Sequence, residues 1–280
     1  RLKSSRLKLK LLKPLNGFSV VERVIQRAKQ VKECSDIVLC TSRSNQDLPL
    51  MRIANKNNIY YYNGSSEDVL QRMLDAAELF QMDYVIGITA DNPLFSIYHA
   101  NIISDMIRSD GNLDFIYTTG MPIGVNIYGI KTKALKTVCS IKEEVDTEIW
   151  GYLINRPEIF NVKEIKVDDE YQCEKYRMTL DEINDYVFFT QLYSMFPKEG
   201  EIDLLDAYNY LQKNPEIVAI NNTVVQKDLN EDVKKRISKF YKDNKIGTVI
   251  KHIPGHGGAS TDSHFALPKV HTSLEIFKKK

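Results

Sequence analysis

The sequence predicts an α/β fold in three layers, with helices on both faces of a mostly parallel sheet. Three observations carry that expectation. Short β-branched runs alternate with helical stretches of 10 to 15 residues. The strand-like runs are bounded by polar residues, as buried strands are. In a chain of 280 residues, 43% hydrophobic and 10% aromatic content supplies a core large enough for such a domain.

The elements follow in order. Val20, Val21, Val24, Ile25, Ala28 and Val31 recur at helical spacing. DIVLCT (36–41) is a buried strand, residues 48–57 a helix, and residues 58–62 a strand closing at Asn63-Gly64. Residues 66–80 make a helix, with Ser66 as N-cap, Glu67 and Asp68 in the first turn, and Val69, Leu70, Met73, Ala77 and Phe80 on one face. A strand over 84–89 runs into Ala90-Asp91-Asn92-Pro93, followed by a helix over 98–109 and a strand over 114–118. The second half is less regular. Strands are expected over 124–130, 165–168 and 177–181, and helices over 143–155, 183–195, 203–213 and 230–244. Trp150, the single tryptophan, serves either the core or an interface. Ligands of such sheets bind beyond the carboxyl ends of the strands, which marks the loops 41–47, 63–66 and 89–93.

Composition excludes several classes. Lys and Arg number 38 against 37 Asp and Glu, a net charge of +1, so nucleic-acid binding over the whole surface is not expected. No apolar run approaches the roughly 20 residues that span a bilayer, so no membrane partner is expected. Four cysteines without CxxC spacing suggest neither a disulfide framework nor a zinc ribbon, and point to the cytoplasm. There is no GxxxxGK[ST] and no GxGxxG after a strand. His252, His256, His264 and His271 crowd a Gly-rich tail; they are solvated loop residues or a zinc site lacking HExxH or a Cys partner.

Two features carry chemistry. Residues 1–13 hold six basic residues and no acidic one, either a solvated arm or an anion-binding loop with the hydroxyls of Ser4 and Ser5. Asp91 and Asp181 each sit just past a strand, where two carboxylates and triphosphate oxygens suit Mg²⁺; the alternative is that both cap helices. Asp185 is four residues beyond Asp181 and either assists it or is exposed. Arg6 and Lys10 would supply cations to phosphates not held by the metal.

Together these residues resemble a family pattern. RLKSSRLKLKLLKPLNG (1–17) is similar to the R-x-x-S-[ST]-R-L-P-x-K-x-L signature of the nucleotide-sugar cytidylyltransferases, which include the acylneuraminate, 3-deoxy-manno-octulosonate and spore-coat polysaccharide types. IVLCTS (37–42), NGSSEDVLQRM (63–73), ITADNPL (88–94), MPIGVN (121–126), RPEIFNV (156–162) and RMTLDEINDY (177–186) follow in the family's order, covering roughly residues 1–215.

The resemblance implies a nucleotide-diphospho-sugar transferase fold and the conversion of CTP and a sugar to CMP-sugar and pyrophosphate with Mg²⁺. It makes Arg6, Lys10 and Asp91 the catalytic set, with Asp91 and Asp181 at the metal. Arg1, Ser4, Ser5, Thr41, Ser42, Ser65 and Asp68 would surround the nucleotide, and Gly124, Asn126 and Asp181 the sugar. Lys8-Leu9 stands where the family has Pro-Gly, and Asn126 where it has an acid. The family's first, central strand would precede Arg1 and is expected to be missing from the sequence.

The expected organisation is a nucleotidyltransferase domain over 1–215, a peripheral helical extension over 216–246, and a linker, tail or start of another domain over 247–280. The expected activity is a cytoplasmic cytidylyltransferase that activates an acidic sugar, such as a nonulosonic acid, for surface glycans. A homodimer is a further expectation. Two other readings stand beside it: a nucleotide- or sugar-binding module without turnover, and an RNA-binding protein using the basic N-terminal arm.

Overall fold

A computed structural model describes residues 1–243. The tail histidines and the segment 247–280 lie outside them. A small antiparallel hairpin, β1 (Pro14–Leu15) and β2 (Phe18–Ser19), leads into helix α1 (Val20–Ala28). A capping box starts that helix: the Ser19 hydroxyl accepts from the Glu22 amide, and the Glu22 carboxylate accepts from the Ser19 amide. Then come β3 (Val38–Ser42), α2 (Leu48–Lys56), β4 (Tyr60–Gly64) and α3 (Val69–Leu79). Next are β5 (Tyr84–Gly87), α4 (Ile97–Ser109), β6 (Phe115–Thr119), β7 (Tyr128–Lys131) and α5 (Thr132–Ile141). The last elements are α6 (Gly151–Ile154), β8 (Val162–Lys166), α7 (Ile183–Ser194), α8 (Leu204–Lys213), α9 (Pro215–Ala219) and α10 (Glu231–Asp243).

The sheet falls into two pieces. β3 and β4 pair in parallel, and a four-stranded piece runs β5-β7-β6-β8. Within it β7 is antiparallel to β5 and β6, while β6 and β8 are parallel, so β7 alone is reversed. The mostly parallel arrangement expected from the alternation of elements is therefore present.

Between β3 and β5 the sheet has no strand among the described residues. The interval is an apolar cavity of about 410 Å³, lined by both strands and by Val24 and Ala28 of α1, Ala77 of α3 and Ile107 of α4. No described residue pairs with the facing edges of β3 and β5.

Apolar packing covers both faces. Leu15, Val20, Leu50, Met178, Phe188 and Leu192 anchor one core cluster. Ile116, buried completely, packs with Phe95, Ile103 and Ile127 in another. Burial of each such side chain stabilises by roughly 1.5–3 kcal/mol.

Several sequence expectations are corrected. The helix expected over 143–155 shrinks to the single turn of α6, because Thr147 is drawn into the interior to bond Asp68 and the Leu70 amide. Trp150 only caps that turn and packs edge-on against Tyr128, with ring centroids 4.7 Å apart. The strand over 124–130 begins at Tyr128, since Gly124 (φ 94°) belongs to a turn. Residues 177–181 make one bridge, Ile123 to Arg177, and no longer ladder. The cap of α3 is Asp68, which accepts from the Gln71 amide, in place of Ser66.

Candidate active site

The site lies beyond the carboxyl ends of the strands, and four distant stretches of chain build it. The first is the basic loop. The Ser4 hydroxyl accepts from the Leu7 amide, and buried Leu2, Leu7 and Leu11 pin the loop to the core. The Leu2 amide donates to Asp47 at 2.6 Å. Leu9 takes a left-handed conformation (φ 52°, ψ 30°), and a 3-10 turn over Lys10–Leu12 follows. This geometry delivers Lys10 to the second and third stretches. Its ammonium lies 2.6 Å from Asp91 Oδ2, in the loop after β5, and 2.9 Å from Asp181 Oδ1, ahead of α7. Arg6 Nη2 is also 2.9 Å from Asp181 Oδ1.

The third stretch also holds Asp181 from behind, and a fourth, 221–226, braces it. Arg177 Nη2 donates to Asp181 Oδ2 at 2.9 Å, and Arg177 grips Asp185 through Nε at 2.9 Å and Nη2 at 3.3 Å. Asp185 is fully buried and accepts the amides of Asp181 and Glu182, each at 2.9 Å. Asn221 bridges Arg177 and Asp185, and Gln226 takes the last Arg177 nitrogen at 2.6 Å. Residues beyond 215 thus reach the floor of the site. Such charge-assisted forks are the stronger class of hydrogen bond, and breaking a buried one leaves an uncompensated charge.

The helix-cap alternative for the two aspartates does not hold. Ser96 caps α4, and Glu182 with Asp185 forms the box that starts α7. Both Asp91 and Asp181 instead face the cationic loop. Burial alone would raise the Asp181 carboxyl; Lys10, Arg6 and Arg177 outweigh it and hold the group below its ordinary value. Burial would likewise lower the Lys10 ammonium, but Asp91 and Asp181 hold it above.

The other residues singled out by sequence are distributed around this centre. Thr41 and Ser42 end β3 as buried residues, their hydroxyls donating to Asp47 Oδ2 at 2.7 and 2.5 Å. Arg1 donates to Glu67 at 2.8 Å and to the Ser66 carbonyl. Ser65 accepts from the Asp68 amide at 3.1 Å, while Asp68 pairs with Lys142 and takes the Thr147 hydroxyl at 2.9 Å. Ser5 is exposed. Gly124 lies so close to the 178–179 backbone that a Cβ would meet the Met178 carbonyl at 2.2 Å, which fixes the 121–126 turn against Met178 and Thr179. Asn126 braces that turn by donating to the Met121 carbonyl at 3.1 Å.

Sequence reasoning missed Arg177, Asn221, Asp47 and Lys142. A signal existed for the first: Arg177 stands four residues before Asp181 and eight before Asp185, one basic and two acidic groups at a four-residue spacing. The basic loop is not a freely solvated arm, since Arg1, Lys3, Arg6 and Lys10 all pair with carboxylates. No helix among the described residues is long and apolar enough to cross a membrane.

The family model for cytidylyltransferases matches residues 1–236. The spore coat polysaccharide biosynthesis protein SpsF of Bacillus subtilis is 23% identical over 225 residues, 77% of this chain and 92% of that protein. A cytidylyltransferase from Leptospira borgpetersenii superposes with a TM-score of 0.72 at 26% identity, covering 81% of this chain and 96% of that one. A CMP:2-keto-3-deoxy-manno-octonic acid synthetase complexed with CTP shares the fold, with a TM-score of 0.55 at 13% identity over 70% of this chain and 95% of that one.

Proposed function

The chain belongs to the cytidylyltransferase family, and on that premise we propose that it couples CTP to an acidic sugar, a nonulosonic acid or similar hydroxylated acid, releasing CMP-sugar and pyrophosphate for surface glycan assembly. It is a CTP-dependent nucleotidyltransferase; the acidic sugar, the pathway and the residue roles are what the proposal adds. One observation carries the roles: Arg6, Lys10, Asp91 and Asp181 converge at the carboxyl ends of the strands, with every contact at 2.9 Å or less.

Asp91 and Asp181 would hold a divalent cation, Mg²⁺. The donor set fits, because an ammonium group already bridges the two carboxylates as a cation would. Among the described residues no cluster of three or more His, Cys, Asp or Glu is gathered, so the protein offers few ligands. Mg²⁺ beside nucleotide phosphates is commonly bound that way, with phosphate and water oxygens as its other ligands. When bound, the cation supplies stabilisation of negative charge on phosphate oxygens.

The chain's own groups do the rest. Arg6 and Lys10 bind the remaining phosphate oxygens, and Arg177 with Asp185 keeps Asp181 aimed at the cleft. Arg1, Ser4, Ser5, Thr41, Ser42 and the 63–68 loop border the nucleotide, and the turn carrying Gly124 and Asn126 borders the sugar. The sugar hydroxyl attacks the α-phosphorus in line as the bond to pyrophosphate breaks. Positioning and charge stabilisation suffice, so no nucleophilic side chain is required.

The test is pyrophosphate release with Mg²⁺, offering CTP, UTP, GTP and ATP against a panel of acidic sugars. Release is expected with CTP and one sugar, and Asp91→Ala should lower kcat by about 10²–10³-fold with the fold intact. Silence across the panel with CTP still bound would make the chain a binding module without turnover.

A further inference from the structure

Resting on the reading of Asp91 and Asp181 as cation ligands, we propose that Lys10 competes with the divalent cation for these two carboxylates, and that nucleotide phosphates relieve the competition by drawing the ammonium away. Metal and CTP then bind as a coupled pair, and metal alone binds poorly.

Three observations lead there. The first is how fully Asp181 is used. Its Oδ1 accepts from Lys10 Nζ at 2.9 Å and forms an ion pair with Arg6 Nη2 at the same distance, and its Oδ2 is held by Arg177. The oxygen facing the cleft already has two cationic groups against it, so a metal cation can reach it only if one of them moves away. The second is position. Lys10 Nζ lies 2.6 Å from Asp91 Oδ2 and 2.9 Å from Asp181 Oδ1, so the ammonium occupies the bridge between them. A small divalent ion needs contacts of about 2.0–2.1 Å to the same oxygens, which crowds two positive centres together. The third is charge. Arg6, Lys10 and Arg177 face Asp91, Asp181, Asp185 and, at 3.9 Å from Arg6, Glu182. A divalent ion entering alone turns this pocket from a net negative to a net positive charge, and a triphosphate supplies the anions that offset it.

Lys10 is the group free to go. Its ammonium bonds only the two carboxylates, and it rides on a flexible stem at the start of a 3-10 turn. Arg177 is also tied to Asp185 and Gln226, which fixes it.

The experiment measures Mn²⁺ binding to the full chain by electron paramagnetic resonance of free Mn²⁺, with and without CTP, after subtracting the Mn²⁺ that CTP binds in protein-free solution. Wild type should bind Mn²⁺ at least about tenfold more tightly with CTP than without, and by linkage CTP should gain the same factor from Mn²⁺. Lys10→Met should bind Mn²⁺ alone about tenfold more tightly than wild type and gain much less from CTP. Lys8→Met removes a charge from the same loop but no bond to the carboxylates, and should change Mn²⁺ affinity by no more than about twofold.

Equal Mn²⁺ affinity of wild type with and without CTP overturns the proposal, whatever the variants do. So does a Lys10→Met protein of native circular dichroism whose Mn²⁺ affinity is unchanged or weaker. Asp91→Asn separates the two layers. If it binds Mn²⁺ as wild type does, the metal-site reading itself fails; if it loses Mn²⁺ while Lys10→Met gains none, only the competition fails.

Discussion

The floor of the candidate site and the interval between β3 and β5 are organised in opposite ways. At the floor, residues 6–10, 91, 177–185 and 221–226 converge, and each charged group there has at least one partner. Across the interval two strand edges face an apolar cavity of about 410 Å³ without pairing among the described residues. By the alternation of the ladders, the amides of Val38 and Cys40 on β3, and of Tyr84 and Ile86 on β5, turn toward that cavity. The floor is over-determined and the interval under-determined. Damage to the first should be severe and local, while the second should reveal itself through backbone motion.

The largest effect is expected at Arg177. Arg177→Met leaves Asp181 and Asp185 buried without their shared cation, and breaking such a pair costs about 3–5 kcal/mol. Urea unfolding should register that loss. Turnover should fall further than stability explains, because Asp181 is no longer aimed. A loss under about 1 kcal/mol would mean that the floor is held by packing alone.

The same floor sets a pH response. The folded Asp181 carboxyl lies below its ordinary value, so its contribution is present above the unfolded pKa near 4 and is lost as pH falls through the folded one. The Lys10 ammonium lies above its ordinary value, so its contribution is present below about pH 10 and is lost as pH rises through the folded pKa. Stability should therefore form a plateau through neutral pH, and Asp181→Asn should flatten its acid edge. An acid edge unchanged in that variant would assign the response to other carboxylates.

These two regions also differ in how legible they were. Lys10, Asp91 and Asp181 could be picked out because each sits in a short ordered motif next to a predicted strand end. Asn221 could not, since its role depends on a contact formed only when chain segments 44 residues apart meet, and Arg177 was marked only by its spacing from Asp181 and Asp185. The helix expected over 143–155 failed for the same reason: a local apolar period was overridden when Thr147 and Lys142 were drawn to Asp68. The alternation of strands and helices survived because it needs no distant partner to be recognised. Periodicity alone carried no trace of the interval beside β3.

Hydrogen exchange tests the other half of the contrast. The amides of Val38, Cys40, Tyr84 and Ile86 should exchange at least about tenfold faster than those of Ile116 and Ile130, which sit on strands paired on both sides. Equal protection would mean that polypeptide outside the described residues pairs with both edges, and the two regions would then differ only in polarity.

The smallest effect belongs to Leu9, the left-handed residue ahead of Lys10 in the basic loop. A non-glycine residue at φ 52°, ψ 30° carries a backbone cost of about 1–2 kcal/mol that glycine does not. Glycine also loses more chain entropy on folding, by roughly 0.5–1 kcal/mol, and little packing is forfeited because Leu9 is 43% exposed. The terms nearly cancel, so Leu9→Gly should move the urea midpoint by the equivalent of about 0–1 kcal/mol, in the stabilising direction. The position adjoins Lys10 and stands where the resembling sequences carry glycine, so the variant also lets backbone come nearer to a bound phosphate. Its KM for CTP should fall while kcat changes little. A destabilisation beyond about 1 kcal/mol would show that Leu9 holds the loop by contact, and that the turn delivering Lys10 is built on that side chain in spite of its backbone.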